Sequence, residues 1–531
     1  MRPFIPAALA VCAAALYLLF IPAHLASWDA IQFALGLEHF AMPIHQPHPP
    51  GYVGHMALGW LFADLGLATD RAMQAASVTA AALASSAVFF LGRKMYGIRE
   101  GVVAALIFML HPLTWFYAVS GESYPAEALL ATFLVFVGLD VKEKSSNARL
   151  VGFFLVYGLA GGVRQSLPLF FLPFAIWRLF MACSGMPSNR AIIRVFIAGV
   201  SASIGIVAWG APLVSLAGGI EPLLRLFGNQ FFSMFGAYYS PLLGASEGAV
   251  LTNLNGLWRY GIGALSAGGA TALVLAAAGR FKTLRLDRFK GVYLAWVLPP
   301  LAWFLLMFIY KAGHMLVLVP AIALFAGRVL VRALPGERRL LSGLLIGGVL
   351  AAQTALFLAP PAWWTLKIGD RSWPSIQYAE AHTSSTIDAV RKLAGDDPSS
   401  VVVITRDGRF GFRRAMYYLP EFRVLWLMDT DSTGVPRPGV DVCEAGDHNV
   451  KCMSGPGFWT VDRLPDTATI TLGPGVRHVA WFADPKGAFA RGLAGSLPMR
   501  SVKAGSISTV PVTDIRPGPV SFRIGGYIFQ R

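Results

Sequence analysis

Stretches of about twenty residues with almost no charge recur along this chain, and they decide which solvent it folds in. Runs such as 195–216, 291–310 and 340–360 approach or reach the ~20 residues an α-helix needs to cross the hydrocarbon of a bilayer. Only 14% of the 531 residues are charged and the mean hydropathy is +0.57, against roughly 25% charged in ordinary soluble domains. After residue 360 the pattern changes to short apolar runs, many prolines and dispersed charge. The composition therefore predicts a polytopic α-helical membrane domain over 1–360, followed by a small α/β domain over 361–531.

The net charge of +15 does not point to nucleic acid, because the basic residues gather at the ends of apolar runs, where cytoplasmic loops carry them. Arg2 sets the N-terminus inside. Arg93-Lys94 with Arg99, Lys142 to Arg149, Arg178 to Arg194, Arg280 to Lys290, and Arg328 to Arg339 mark further inner loops. Outer connections fall at 119–125, 164–166, 217–256 and 311–313, and everything after 360 is outside. Eleven crossings satisfy this alternation, at about 4–24, 72–92, 101–119, 125–141, 150–163, 166–181, 195–216, 257–279, 291–310, 313–330 and 340–360. The first is too long for a signal-peptide core, and Ala23-His24-Leu25-Ala26 is a poor cleavage site, so a retained helix is expected.

One apolar segment breaks the parity. If 51–68 also crossed, Arg93-Lys94 would lie outside. It is short and interrupted by glycines, His55 and Asp64, so it reads as a helix lying on the outer leaflet. The preceding "HQPHPPGY", residues 45–52, is then an outer loop whose prolines stop any helix from continuing. No internal repeat is visible, unlike in inverted-repeat transporters.

In the tail, Ser375–Leu393 has an amphipathic helical pattern, and a second helix is expected over Arg413–Tyr418. Val401–Ile404, Val424–Met428, Val479–Phe482 and Tyr527–Gln530 read as strands. Cys443 and Cys452 both fall here. Outside the cytoplasm they could form a disulfide, and two free thiols is the other reading.

Carboxylates on the outer face are Asp29, Glu38, Glu122, Glu127, Glu221 and Glu247, with Asp64 and Asp70 if the interfacial helix holds. Asp29 follows the first crossing beside Trp28, at a boundary where burial can tune a general base; Ser27 or Asp29 could equally cap the helical pattern 30–40. Glu122, in Ser120-Gly121-Glu122-Ser123-Tyr124-Pro125, could orient a hydroxyl, ligate a cation or simply sit in solvent. Arg164-Gln165-Ser166 and Lys311-Ala312-Gly313-His314 put cations at outer helix ends, and Arg225 and Arg259 flank 217–256. Such cations can hold a lipid phosphate or anchor at the interface. Five of the ten histidines lie between 24 and 55, but no His/Cys quartet suits zinc. Asp29 and Glu122 alone offer thin ligation for Mg²⁺ or Mn²⁺.

The aspartate after the first crossing, the outer "HPPGY", the Ser-Gly-Glu-Ser-Tyr turn, "GGVRQS" and "KAGHMLVLVPAIALFAG", in that order and on one face, resemble the GT-C superfamily of polyprenyl-phosphate-dependent glycosyltransferases, which includes protein O-mannosyltransferases and the aminoarabinose transferases of lipid A. The resemblance covers most of 1–360. It implies Asp29 near the reaction centre as base, Glu122 as the polar residue of the next outer loop, and Arg164, Lys311 and His314 at the donor phosphate. His45, His48, Tyr52, Tyr124 and Gln165 would then form the cavity rim. Many relatives carry a paired acidic motif where this chain has Asp29-Ala30, so no metal cofactor is firmly implied. The donor would be a polyprenyl-phosphate sugar in membrane lipid, and the acceptor a glycan, lipid or protein. A flippase for a lipid-linked glycan and a non-catalytic envelope assembly protein are the competing classes.

Overall fold

A computed structural model describes residues 4–142, 145–236, 239–245, 248–278, 288–333, 339–368, 371–406, 411–430, 436–446, 449–453, 464–483, 498–506 and 508–531. Glu247 and Arg280 lie outside the described residues. The chain divides into two compact units, Met1–Ile21 with Pro50–Ser375, and Pro22–Pro49 with Ile376–Arg531. The stretch bearing Asp29 therefore folds with the C-terminal residues, and the second unit starts some fifteen residues beyond the expected change at 360.

The first unit is helical. Five described helices are long and apolar enough to cross a membrane: Thr69–Met95, Ser166–Cys183, Ser188–Leu216, Gly248–Ala277 and Leu340–Leu358. A sixth candidate is the pair Ile98–Met109 and Pro112–Ala118, bent by 60°. Phe4–Leu18, Tyr124–Gly138, Asn147–Val163 and Lys290–Leu306 are shorter and apolar, and a 3₁₀ turn Ala312–Val317 leads into Val319–Arg332. Each of the eleven expected crossings coincides with one of these elements. The helix expected after "HPPGY" spans Val53–Asp64. The expected loop 217–256 is mostly helical instead: Ile220–Gly228 and a π-helical turn Asn229–Gly236 occupy it, and the next helix begins at Gly248. An i,i+4 ion pair between Glu221 and Arg225 at 3.0 Å supports the first of these.

Breaks in these helices have local causes. Proline at position 112 cannot extend the preceding helix, and His111 caps the new one, its imidazole accepting from the Leu113 amide at 3.2 Å. Ser266 interrupts Gly248–Ala277 with φ 47°. The buried Gln353 repairs the ladder there, accepting from Gly268 N at 3.1 Å and donating to Ile107 O at 2.8 Å, because no water would meet those groups in hydrocarbon. Small residues let helices touch: a Cβ on Gly158 would stand 2.2 Å from the Ala202 carbonyl and 3.0 Å from Gly205 Cα, which is how apolar helices associate where lipid competes.

The second unit holds the helices Trp28–Glu38, most of Trp373–Ala394 and Phe412–Tyr418, with ten described strands. These are β1 Val401–Thr405, β2 Arg423–Thr430, β3 Pro436–Gly446, β4 Asn449–Cys452, β5 Ala468–Thr471, β6 His478–Phe482, β7 Arg500–Ala504, β8 Ser508–Asp514, β9 Ser521–Ile524 and β10 Tyr527–Gln530. One sheet has the order β4-β3-β2-β1-β6-β8-β7, the other β5-β10-β9. Fully buried β1 lies at the centre, parallel to both β2 and β6, as a Val/Ile run covered on both faces should. The four strands and two helices expected in the tail all form. Cys443 and Cys452 face each other across β3 and β4 and are bonded, so the disulfide reading holds. Because the bridge closes a short loop over buried Cys443, Cys443→Ser is expected to cost about 2–3 kcal/mol, read as a fall in unfolding temperature that reductant reproduces in the unaltered protein.

Candidate functional site

The bent pair ends at Ala118, and the chain turns through Ser120-Gly121-Glu122 into the helix Tyr124–Gly138. Gly121 takes φ +79°, a conformation glycine adopts without steric cost. The turn is pinned: Ser77 Oγ donates to the Glu122 carbonyl at 2.8 Å, Glu122 N donates to Ser120 Oγ at 3.2 Å, and the His55 ring meets Gly121 O at 3.3 Å. Glu122 is thereby only 4% exposed, and Glu127, one turn into the helix, 1%.

Charges of both signs converge there. Lys311 Nζ lies 3.6 Å from Glu122 Oε2, and Arg164 Nη1 lies 3.5 Å from Glu127 Oε2. Tyr124 stands in the middle of the group. The Arg164 guanidinium lies over its ring at 4.7 Å, Tyr117 meets its edge at 4.9 Å and His314 lies 5.7 Å away. Arg371 donates from Nε to Tyr117 Oη at 3.1 Å. Tyr117, and more weakly Glu122, hold the Arg371 charge above its ordinary value against burial. At Arg164 burial opposes the charge, while Glu127 and Tyr124 more than offset it.

Three partly buried cations thus face two buried carboxylates in one cluster. Both ion pairs stand open, well beyond the ~2.8 Å of a charge-assisted hydrogen bond, and neither Glu122 Oε2 nor Glu127 Oε2 receives a hydrogen bond. Gathered cations with a net positive surplus and loosely engaged carboxylates can take an anion, or a hydroxyl together with an anion.

Glu122, Tyr124, Arg164, Lys311 and His314 come together in this cluster. Gln165 flanks them and donates to Pro50 O at 3.2 Å, and Tyr52 lies near Arg164. Arg225 does not join them, being paired on an exposed helix. Arg371, Tyr117 and the pairing of Glu127 with Arg164 went unforeseen. Arg371 meets Tyr117 across 254 residues, a juxtaposition without any local pattern.

Asp29, His45 and His48 belong to the second unit. Asp29 lies in the first turn of Trp28–Glu38, next to an N-cap Ser27 that makes no side-chain capping bond. It is not the cap itself, and the helix dipole favours its charge there. "HQPHPPGY" is a loop as expected, between the 3₁₀ turn Met42–Ile44 and Val53, and both His45 and Tyr52 adopt positive φ, which is costly for side chains of that size. His45 is held well below its ordinary value of 6.5 by burial, then by the His48 and Arg413 charges, with Asp29 opposing. Burial works against the Glu380 charge, but hydrogen bonds from His24 more than offset it and lower its value below 4.5.

The two groups predict one pH response. The unfolded chain protonates His45 below about pH 6.5 while the folded chain does not, so stability drains as pH falls through that value. Stability from Glu380 is intact above about pH 4.5 and is lost as pH falls through its lowered value. Thermal unfolding between pH 7.5 and pH 4 should therefore show a monotonic fall in stability. A rise on acidification would contradict both assignments.

Residues 39–186, just over a quarter of the chain, match the family described as the protein O-mannosyl-transferase TMEM260 N-terminal domain. No curated protein matches the sequence. Among solved structures, the chain is similar to ArnT from Cupriavidus metallidurans bound to undecaprenyl phosphate, with TM-score 0.60 and 13% identity over 97% of this chain and 99% of that one. The apo state of the same protein gives TM-score 0.57 and 14% identity over 96% and 97%. At the level of fold, the likeness to the GT-C glycosyltransferases is borne out.

Proposed function

We propose that this chain, which shares the GT-C fold, is a multi-pass membrane glycosyltransferase that moves a sugar from a polyprenyl-phosphate donor to an acceptor hydroxyl at the outer face of a cell inner membrane. The observation that carries this reading is the buried cluster in which Arg164, Lys311 and Arg371 outnumber Glu122 and Glu127 with both ion pairs open at 3.5–3.6 Å. A phosphate would tighten around those cations, and their charge would be aimed at the oxygen on which negative charge develops as the sugar leaves. The solved relative bound to undecaprenyl phosphate supports a donor of this class.

In the proposed step the acceptor oxygen attacks the anomeric carbon while the bond from that carbon to the phosphate oxygen breaks. Asp29 takes the hydroxyl proton, and polyprenyl phosphate departs. One displacement inverts the anomeric centre. Support for Asp29 comes from its position after the first crossing and from the resemblance. Glu122 is proposed to orient the hydroxyl or Lys311, and His314, His45, His48, Tyr52, Tyr124 and Gln165 to shape the surroundings. The eleven crossings, an N-terminus in the cytoplasm and an extracytoplasmic second unit form part of the same proposal.

The test is transfer from radiolabelled polyprenyl-phosphate sugars in detergent-opened membranes. Asp29→Asn, verified to insert and fold, is expected to lower turnover by roughly 10²–10⁴. Undiminished transfer in that variant would remove Asp29 from the chemistry. If no donor supports transfer by the unaltered protein while a lipid-linked glycan crosses the membrane, the flippase reading replaces this one.

A further inference from the structure

Within the second unit, residues 22–49 are gripped by side chains that lie more than 350 positions later in the sequence. Glu380 accepts from His24 N at 2.8 Å and meets His24 Nδ1 at 2.6 Å. Tyr418 Oη accepts from Leu25 N at 2.7 Å, and Arg414 Nη2 donates to Ala26 O. Trp28, next to Asp29, packs at 5.9 Å against Trp426, which stacks on Phe412 at 5.5 Å. The whole approach to Asp29 is thus held, residue by residue.

Arg413 holds the far side of the loop. Fully buried, it donates from Nη2 to the Ile44 carbonyl and from Nη1 to Gln46 Oε1 at 3.3 Å. The turn it grips is closed by Gln46 N donating to Ala41 O at 3.0 Å and by His45 in a left-handed conformation. This turn lies against the helix that carries Asp29: a Cβ on Gly36 would stand 2.9 Å from Pro47 Cδ, and the Phe33 and His48 rings lie 5.5 Å apart. Moving Ile44 and Gln46 would therefore move Pro47 and His48, and with them the helix Trp28–Glu38. His45 senses the charges of both Asp29 and Arg413.

We propose that the C-terminal residues are the holder of the first outer loop, and that Arg413 is a positioning residue that sets the helix bearing Asp29 by gripping the Ile44–Gln46 turn. A planar guanidinium meets a carbonyl and an amide oxygen from two separate nitrogens in a fixed fork, where an ammonium offers one nitrogen on a flexible stem. Burying it is costly, and burial pulls its value down to about 9, an expense more consistent with fixing a geometry than with adding stability. The consequence for turnover rests on the glycosyltransferase reading above; the grip on the loop does not.

The test compares the full-length protein with Arg413→Ala, Arg413→Lys and, as control, Arg423→Ala, which removes a half-buried pair with Glu444 at 2.8 Å. Amide exchange over 41–48 should speed up in both Arg413 variants and stay unchanged in the control. Turnover should fall roughly 10- to 100-fold in both, with KM for the polyprenyl-phosphate sugar within about twofold of the unaltered value. Arg413→Lys keeps the fold testable if the alanine variant does not accumulate. Unchanged exchange in Arg413→Lys overturns the holder, and exchange that speeds up while turnover stays whole overturns the positioning role of Arg413. An unaltered protein without transfer overturns the glycosyltransferase reading instead and leaves exchange to decide the grip.

Discussion

Arg164→Met is expected to destabilise the protein by about 3–5 kcal/mol and to cut transfer by roughly 10²–10³. The structural share follows from burial: Glu127, with a side chain 2% exposed, would lose the cation 3.5 Å away and be left in the interior without a charge partner. Loss of the contact over the Tyr124 ring at 4.7 Å adds about 1 kcal/mol. The informative variant is the double one. Glu127→Gln with Arg164→Met removes both charges together, and replacing a buried pair by neutral groups is often without net cost. Its unfolding temperature should recover most of the loss while transfer stays low. Recovery of both would make Arg164 a structural partner of Glu127 and take it away from the donor phosphate.

The same pair shows where a sequence is legible and where it is not. Long apolar runs report that a helix leaves water, so the helices containing 72–92, 195–216 and 340–358 could be placed from hydropathy, and β1, a Val-Val-Val-Ile run, from length and branching. Arg164 could be singled out because a cation between two apolar runs is conspicuous. Its engagement with Glu127 could not, since Glu127 reads as one more acid at a helix start.

The edges of the sheets were opaque for a related reason. β3 begins at Pro436, β8 contains Pro511, and β7 and β9 are largely exposed, which is the composition of edge and near-edge strands and also that of loops. The grouping of 22–49 with the tail was the least legible feature. It rests on hydrogen bonds that Arg413 and Arg414 donate and that Glu380 and Tyr418 accept, and polar contacts across such separations leave no periodicity to read.

Gly313 bears on the cluster from the opposite side, and Gly313→Ala is expected to cost about 1–3 kcal/mol with a loss of transfer of tenfold or more. A Cβ at this position would meet Tyr124 Cε2 at 2.4 Å, Cδ2 at 2.5 Å and Cζ at 2.7 Å, far inside van der Waals contact, so one side must yield. The 3₁₀ turn Ala312–Val317 is buried throughout and has little room to retreat. The ring is confined too, by Arg164 on its face and by Tyr117 at its edge. Any escape of Tyr124 therefore displaces the cation proposed to meet the phosphate, which is why the effect on transfer should exceed the effect on stability. Gly313→Ala combined with Tyr124→Leu separates the two, because the smaller side chain relieves the clash but offers no ring to Arg164. Unfolding temperature should rise back toward the unaltered value, and transfer should not. If Gly313→Ala alone leaves both quantities unchanged, the turn gives way without moving Tyr124, and the ring does not set the position of Arg164.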